Sequence, residues 1–324
     1  MKLVFAGAFT LLSCAANAQA WKPAKPVEII VGVTPGGGID RTARILQKIM
    51  QDRRLIDSPV TVVNKPGGGM TLGMIYINQH AGDAHYLFIS AASTLTNQIM
   101  GKSTLGYKDF TPLAMLYDEY IGFAVKSDSP MKSAKDLLDA LKTKPESVPV
   151  AIATSLGNTN HIAVAGAVKL AGGDAKRLRV VTFGSGGESM TAVMGGHAGL
   201  VITPAANLVR HVQSGRLTVL AIAAPQRVQG PLANTPTLRE LGNNTVVSNW
   251  RPMLGPKNLN AAQIAYWDQT LAAATASEEW RKEVERNYWA VNYLSSRDVR
   301  KYWDQQYREL EEVLTELGLA KKAG

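Results

Sequence analysis

The sequence predicts a two-lobed α/β protein, on three observations. From Val27 onward one unit recurs: a short β-branched run, a Gly-rich or Ser-rich turn, then an amphipathic helix pattern, which describes mostly parallel sheets flanked by helices. These units fall into two series, the second beginning after Tyr120 and giving way to the first again near residues 250–254. The chain of 324 residues is 46% apolar, enough to bury cores for a protein of that length.

In the first series, residues 27–33 read as a strand leading through Pro35-Gly36-Gly37-Gly38 into a helix over residues 39–53, with Ala43, Ile45, Leu46, Ile49 and Met50 as its apolar stripe. Residues 59–64 repeat the strand and pass through Pro66-Gly67-Gly68-Gly69 into a helix over residues 72–80. A third strand at residues 86–90 ends at Ala91-Ala92-Ser93-Thr94. The second series has strands at residues 122–125 and 148–152, with a helix over 133–141 capped by Ser133 between them. The turn from Thr154 opens a helix over residues 159–170, and a strand at 178–183 turns through Gly184-Ser185-Gly186-Gly187 into a helix over 188–194. Strands at residues 200–203 and 218–223 flank a helix over 205–212. The remainder reads as helical, Asn260 capping residues 261–274 and Ser296 capping residues 297–317. The expected division is lobe 1 at residues 21–121 and 250–324 and lobe 2 at residues 122–249. Strand C-termini of the two lobes would then face each other, and ligands of open α/β sheets bind at those ends, so the site is expected in a cleft between the lobes.

Residues 1–20 read as a signal peptide. Lys2 supplies the charge, an apolar run follows to Leu12, and Ala16-Asn17-Ala18-Gln19-Ala20 offers two overlapping small-x-small cleavage sites, so export is expected. Cleavage after Ala20 also removes Cys14, the one cysteine, leaving no disulfide or thiol chemistry. Leu11-Leu12-Ser13-Cys14 offers a rival, lipoprotein reading with Cys14 lipidated; bulky Leu12 and the two later cleavage sites count against it. No later apolar stretch reaches the roughly 18 residues of a membrane span. The 35 Lys and Arg exceed the 26 Asp and Glu, giving +9, but they are scattered, which fits a bias toward anionic partners and not a nucleic-acid arm.

The chemistry lies in the turns. Gly36, Gly37 and Gly38 follow a strand and open a helix, so a backbone free of side chains can bring N–H groups to an anion at the positive end of the helix dipole. Gly184, Ser185, Gly186 and Gly187 repeat this cradle in lobe 2, and residues 154–160 are a third candidate. Cradles facing one another suit a ligand with a carboxylate at each end, whereas a single such turn reads as ordinary strand-to-helix punctuation. Asp40 and Glu188 fall in the first helical turns, and Ser185-x-x-Glu188 fits a capping box, so both acids have a structural reading beside a ligand-contacting one. A dinucleotide fingerprint fails because Arg41 and Leu72 stand where glycine is required, and Thr96 breaks the match of Gly101-Lys102-Ser103 to a phosphate loop. His80, His85, His161, His197 and His211 have no ligand spacing, so neither metal nor cofactor is expected; His161, just after the Thr154 turn, is the one histidine with a cleft-facing reading, and a packed or capping role is favoured over it. A Gly-x-Ser-x-Gly elbow is absent, which weakens hydrolase chemistry.

Several separated motifs resemble one family. Lys25-Pro26-Val27-Glu28-Ile29-Ile30-Val31, Thr34-Pro35-Gly36-Gly37-Gly38-Ile39-Asp40, Val63-Asn64-Lys65-Pro66-Gly67-Gly68-Gly69 and Phe183-Gly184-Ser185-Gly186-Gly187-Glu188 are similar to segments of the extracytoplasmic solute-binding proteins of tripartite tricarboxylate transporters, the Bug/TctC-like family. The resemblance covers nearly the whole chain beyond residue 20. It implies a hinge-closing periplasmic binding protein of the type II-like fold, without catalysis, monomeric, taking a small-molecule carboxylate and meeting membrane transporter subunits. Ligand carboxylates would be held by the loops corresponding to Thr34, Pro35, Gly36, Gly37, Gly38 and Asp40, by Ala92 and Ser93, by Thr154, Ser155, Gly157 and Asn160, and by Gly184, Ser185, Gly186 and Gly187. Many members carry an acid after the strand matching residues 200–202. Here Thr203-Pro204 stands instead, which places Thr203 at the site and counts against amino-acid ligands. An exported α/β hydrolase or transferase acting on an anionic substrate is the main alternative, and an anion-binding surface protein a third class.

Overall fold

The computed structural model describes residues 21–321. The expected signal peptide and Cys14 lie outside them. The chain forms β1 (Val27–Val31), α1 (Gly38–Asp52), β2 (Val60–Asn64), α2 (Thr71–Asn78), β3 (Tyr86–Ile89), α3 (Ser93–Ile99) and β4 (Phe110–Tyr117) before crossing to a second sheet. There it forms β5 (Ile121–Lys126), α4 (Ala134–Thr143), β6 (Val150–Ala153), α5 (Thr159–Leu170), β7 (Val180–Phe183), α6 (Gly186–Met194), β8 (Leu200–Pro204), α7 (Ala205–Gln213) and β9 (Leu217–Ala223). It returns through β10 (Arg251–Pro256), α8 (Ala261–Thr275), α9 (Glu278–Arg286), β11 (Leu294–Ser295) and α10 (Ser296–Glu316). One sheet runs β11-β4-β10-β3-β1-β2 and the other β7-β6-β8-β5-β9, so two lobes with separate cores are joined by two chain crossings.

The expected mostly parallel sheets are in fact mixed. β1 is parallel to β2 and β3, and β6 to β7 and β8, but β10 is antiparallel to β3 and β4, and β5 to β8 and β9. The crossings explain this. Tyr120 pairs antiparallel with Ser248, because one crossing leaves the lobe that the other re-enters, and the strands feeding them inherit opposed directions. Sequence patterning missed β4 because all but Thr111 of its eight residues are buried, which erases the alternation of a half-exposed strand.

Elsewhere local chemistry acts as its residue types require. Ala43, Leu46, Ile49 and Met50 of α1 are buried against the first sheet, and Gly32 leaves room at the end of β1 where an added Cβ would stand 2.7 Å from that of Met70. Ser133 and Asn260 cap α4 and α8 in reciprocal capping boxes. Ser296 is not a cap: it lies inside α10, and both its amide and its hydroxyl donate to Asp268 of α8, so a carboxylate from a neighbouring helix satisfies this helix end. Asn260→Ala should lower stability by about 1 kcal/mol, measured by urea unfolding, because the Gln263 amide then loses its acceptor.

Candidate functional site

A cleft of about 390 Å³ lies between the lobes at the strand C-termini. Lobe 1 contributes the loops after β1, β2 and β3, and lobe 2 those after β6, β7 and β8; Glu119, Asn249 and Arg251 of the crossings also line it. Helix N-termini converge here, among them those of α1, α5 and α6, capped by Gly37, Asn158 and Ser185. The first amides of a helix have no intrahelical acceptor, so each terminus offers N–H donors and partial positive charge.

Both acids beside the glycine loops turn back onto their own loops. The Gly36 amide donates to Asp40 Oδ2 at 2.9 Å, and the Gly184 amide to Glu188 Oε2 at 3.1 Å. Asp40, 2% exposed, also accepts from Arg44 Nε and Nη2, both at 3.0 Å, and from Asn64 Nδ2 at 2.9 Å. Burial alone would raise its pKa, but these donors outweigh it and hold the carboxyl below its usual range. Asp40 is thus a structural acceptor beneath the loop and does not line the cleft, and Glu188 completes the cap with Ser185.

Of the residues singled out by sequence, Thr34, Gly37, Gly38, Ala92, Ser93, Thr154, Asn160, Gly184, Ser185, Gly186 and Thr203 form part of the cleft wall. Pro35, Gly36, Asp40, Ser155, Gly157 and Gly187 do not. Pro35 and Gly36 sit on the exposed outside of their turn, where Gly36 takes φ +85°, and Gly187 faces outward on α6. Ser155 stands against Gly69 of the other lobe, and Gly157 is buried against Met100 and Leu314. His161 does not face the cleft: it is 7% exposed, and its Nδ1 accepts from the Gly157 amide at 3.0 Å, which makes the ring a brace for the loop. Burial, with Lys102 nearby, pushes the imidazole down to about 4. Thr154 and Met70 in the wall hold φ +64° and +81°, backbone strain of about 1–3 kcal/mol each that the surrounding loops must maintain.

Sequence reasoning missed the cleft's charged pair. Arg251 Nη2 donates to Glu119 Oε2 at 2.6 Å, with each side chain 7% exposed, and Arg251 Nη1 donates to Asn249 Oδ1 at 2.7 Å. Asn249 Oδ1 also accepts from Thr159, the first residue of α5, at 3.2 Å. Burial pushes the Glu119 carboxyl above its usual range and the adjacent guanidinium opposes that push. The available signal was Asp118-Glu119-Tyr120, a polar break between two long apolar runs.

Such a site can hold a ligand, and its fold is that of a two-lobed solute receptor. Residues 42–319 match the family described as tripartite tricarboxylate transporter family receptor, TctC. The chain therefore belongs to that family, whose members are binding receptors and not enzymes. Among curated relatives, BugT of Bordetella pertussis is 27% identical over 261 residues, covering 79% of this chain and 78% of BugT. Among solved structures, Rpa4515 of R. palustris with adipate superposes with a TM-score of 0.82 at 19% identity, over 92% of this chain and 99% of that one. MatC from Rhodopseudomonas palustris with bound malate gives 0.77 at 21% identity, over 90% and 99%.

Two outcomes follow from this geometry. Arg251→Met should cost about 3–5 kcal/mol in denaturant unfolding because it strands Glu119, and adding Glu119→Leu should recover much of that loss. Between pH 6.5 and about 4 the unfolded chain protonates His161 while the folded one does not, so acid should erode stability there by on the order of 3 kcal/mol. His161→Gln should remove that part of the pH dependence of the unfolding free energy.

Proposed function

We propose that the cleft captures a carboxylate, a di- or tricarboxylate with aromatic ones included, and that the closed receptor delivers it to the membrane subunits of a tripartite tricarboxylate transporter. The observation that carries this reading is the cleft wall itself. Its only charged side chains among the described residues are Glu119 and Arg251, which neutralise each other, while helix N-termini from both lobes supply the donors. Recognition of an anion by backbone amides needs no free cation. Malate and adipate in the two superposed structures support the ligand class.

In this reading residues 1–20 direct export to the periplasm, residues 21–121 and 250–324 move as one lobe and residues 122–249 as the other. The monomer closes on its ligand as a hinge. Thr34, Gly37, Gly38, Ala92 and Ser93 face the ligand from the first lobe, and Thr154, Asn160, Gly184, Ser185, Gly186 and Thr203 from the second.

A thermal-shift screen over mono-, di- and tricarboxylates tests the ligand class, since a ligand at about 100 times its Kd adds roughly 2.7 kcal/mol to stability. No stabilisation by any of them would overturn the reading. Gly37→Val tests the cradle. An added Cβ there meets nothing closer than Thr34 O at 3.6 Å, and φ is −73°, so the fold should persist. The branched side chain should obstruct the amides and weaken binding about tenfold or more in calorimetry; unchanged affinity would remove this loop from the site.

A further inference from the structure

A second cavity among the described residues exceeds the cleft in volume. Alongside the body of α5, the returning segment of residues 244–250 and α10 border a half-open space of about 660 Å³, against about 390 Å³ for the cleft. Both lobes build its walls, with Ile162 and Ala165 from α5, Val247 and Trp250 from the returning segment, and Leu310 and Val313 from α10. Leu170 and Val246, 53% and 43% exposed, stand in the same wall, in a protein that buries most of its large apolar side chains.

The acids around this cavity are already engaged. Asp174 accepts from the Lys176 amide, Glu309 from Gln305 and Gln306, and Glu316 pairs with Lys169 at 2.5 Å across the lobes. Lys169 and Lys176 stand in the same wall as these three acids, so its charges nearly balance, and the rest of the lining is mostly apolar; this favours an uncharged occupant, and volumes of roughly 300–1,000 Å³ suit a small molecule. Ala92 and Thr159 line both cavities, and Thr159 donates to Asn249 of the hinge network, so an occupant here touches residues of the cleft wall.

We propose that this cavity is a second binding site, for an uncharged, predominantly apolar small molecule, and that its occupancy alters affinity at the cleft. The coupling, though not the site, rests on the carboxylate reading. The geometric reason for coupling is that the cavity is walled by both lobes, so a molecule filling it binds one lobe angle better than another.

The test uses the purified protein and N-phenyl-1-naphthylamine, an uncharged fluorophore that brightens in apolar surroundings. A saturable one-to-one signal is expected. Ala165→Phe, which fills the cavity, and Leu170→Asp, which puts a charge in its wall, should each weaken it about tenfold or more. Leu170 is half exposed, so the second variant keeps the test open if the first fails to fold. No saturable binding, binding indifferent to the variants, or a dimer by light scattering that Leu170→Asp dissolves would overturn the site; the last would make a second copy the occupant. Adipate at concentrations that saturate the cleft in calorimetry should shift the probe's Kd to a plateau, and the probe should shift adipate's by the same factor. Competition without a plateau would place the probe in the cleft and overturn the proposal, and no shift would overturn the coupling. Should calorimetry find no adipate binding, the carboxylate reading fails there while the two variants still decide the second site.

Discussion

The two lobes depend on one buried contact. Glu119 lies on the outgoing crossing and Arg251 at the end of the returning one, and their ion pair, with Asn249 beside it, ties the crossings at the point where the cleft ends. Main-chain bonds between Glu119 and Asn249 run in both directions alongside it. A buried charge pair gives little net stability compared with apolar packing, but either partner alone would be a large penalty. That asymmetry fixes the register of the crossings, and with it which strand ends meet across the cleft. It also empties the cleft of net side-chain charge, leaving the helix termini to set its electrostatic character.

The glycine loops answer a second constraint. A loop that spends every amide on itself has none left to donate into the cleft, yet a loop with none satisfied would have no defined shape. In both lobes an acid four residues after the first loop amide takes that amide, Asp40 for Gly36 and Glu188 for Gly184. Asp40 is then held by Arg44 and Asn64, so the glycine loop of lobe 1 is braced from below. His161 does the equivalent work for the loop after β6, as a neutral acceptor. These residues hold the shape of the loops.

Contacts across the cleft edge join the lobes at a third place. Lys102 donates to the Leu156 carbonyl at 3.1 Å, and Gly157 packs against Met100 and Leu314. Together with Lys169 and Glu316 beside the second cavity, they link α5 and its preceding loop to the first lobe. α5 thus carries the cleft at its N-terminus and the second cavity along its side.

The sequence by itself determined the elements whose causes are local. Strand-turn-helix units, the caps at Ser133 and Asn260, the glycine loops and the family resemblance all follow from neighbours within a few residues, where spacing and side-chain chemistry act directly. The cleft's place at the strand ends was legible for the same reason. Only the tertiary structure decided the rest. β4 has no alternation to detect because both of its faces are covered, and the mixed strand directions arise from two crossings more than a hundred residues apart. Nor could spacing pair Glu119 with Arg251, or turn Asp40 away from the cleft toward Asn64 and Arg44. Those outcomes depend on which distant groups are removed from water together, and burial is a property of the assembled fold.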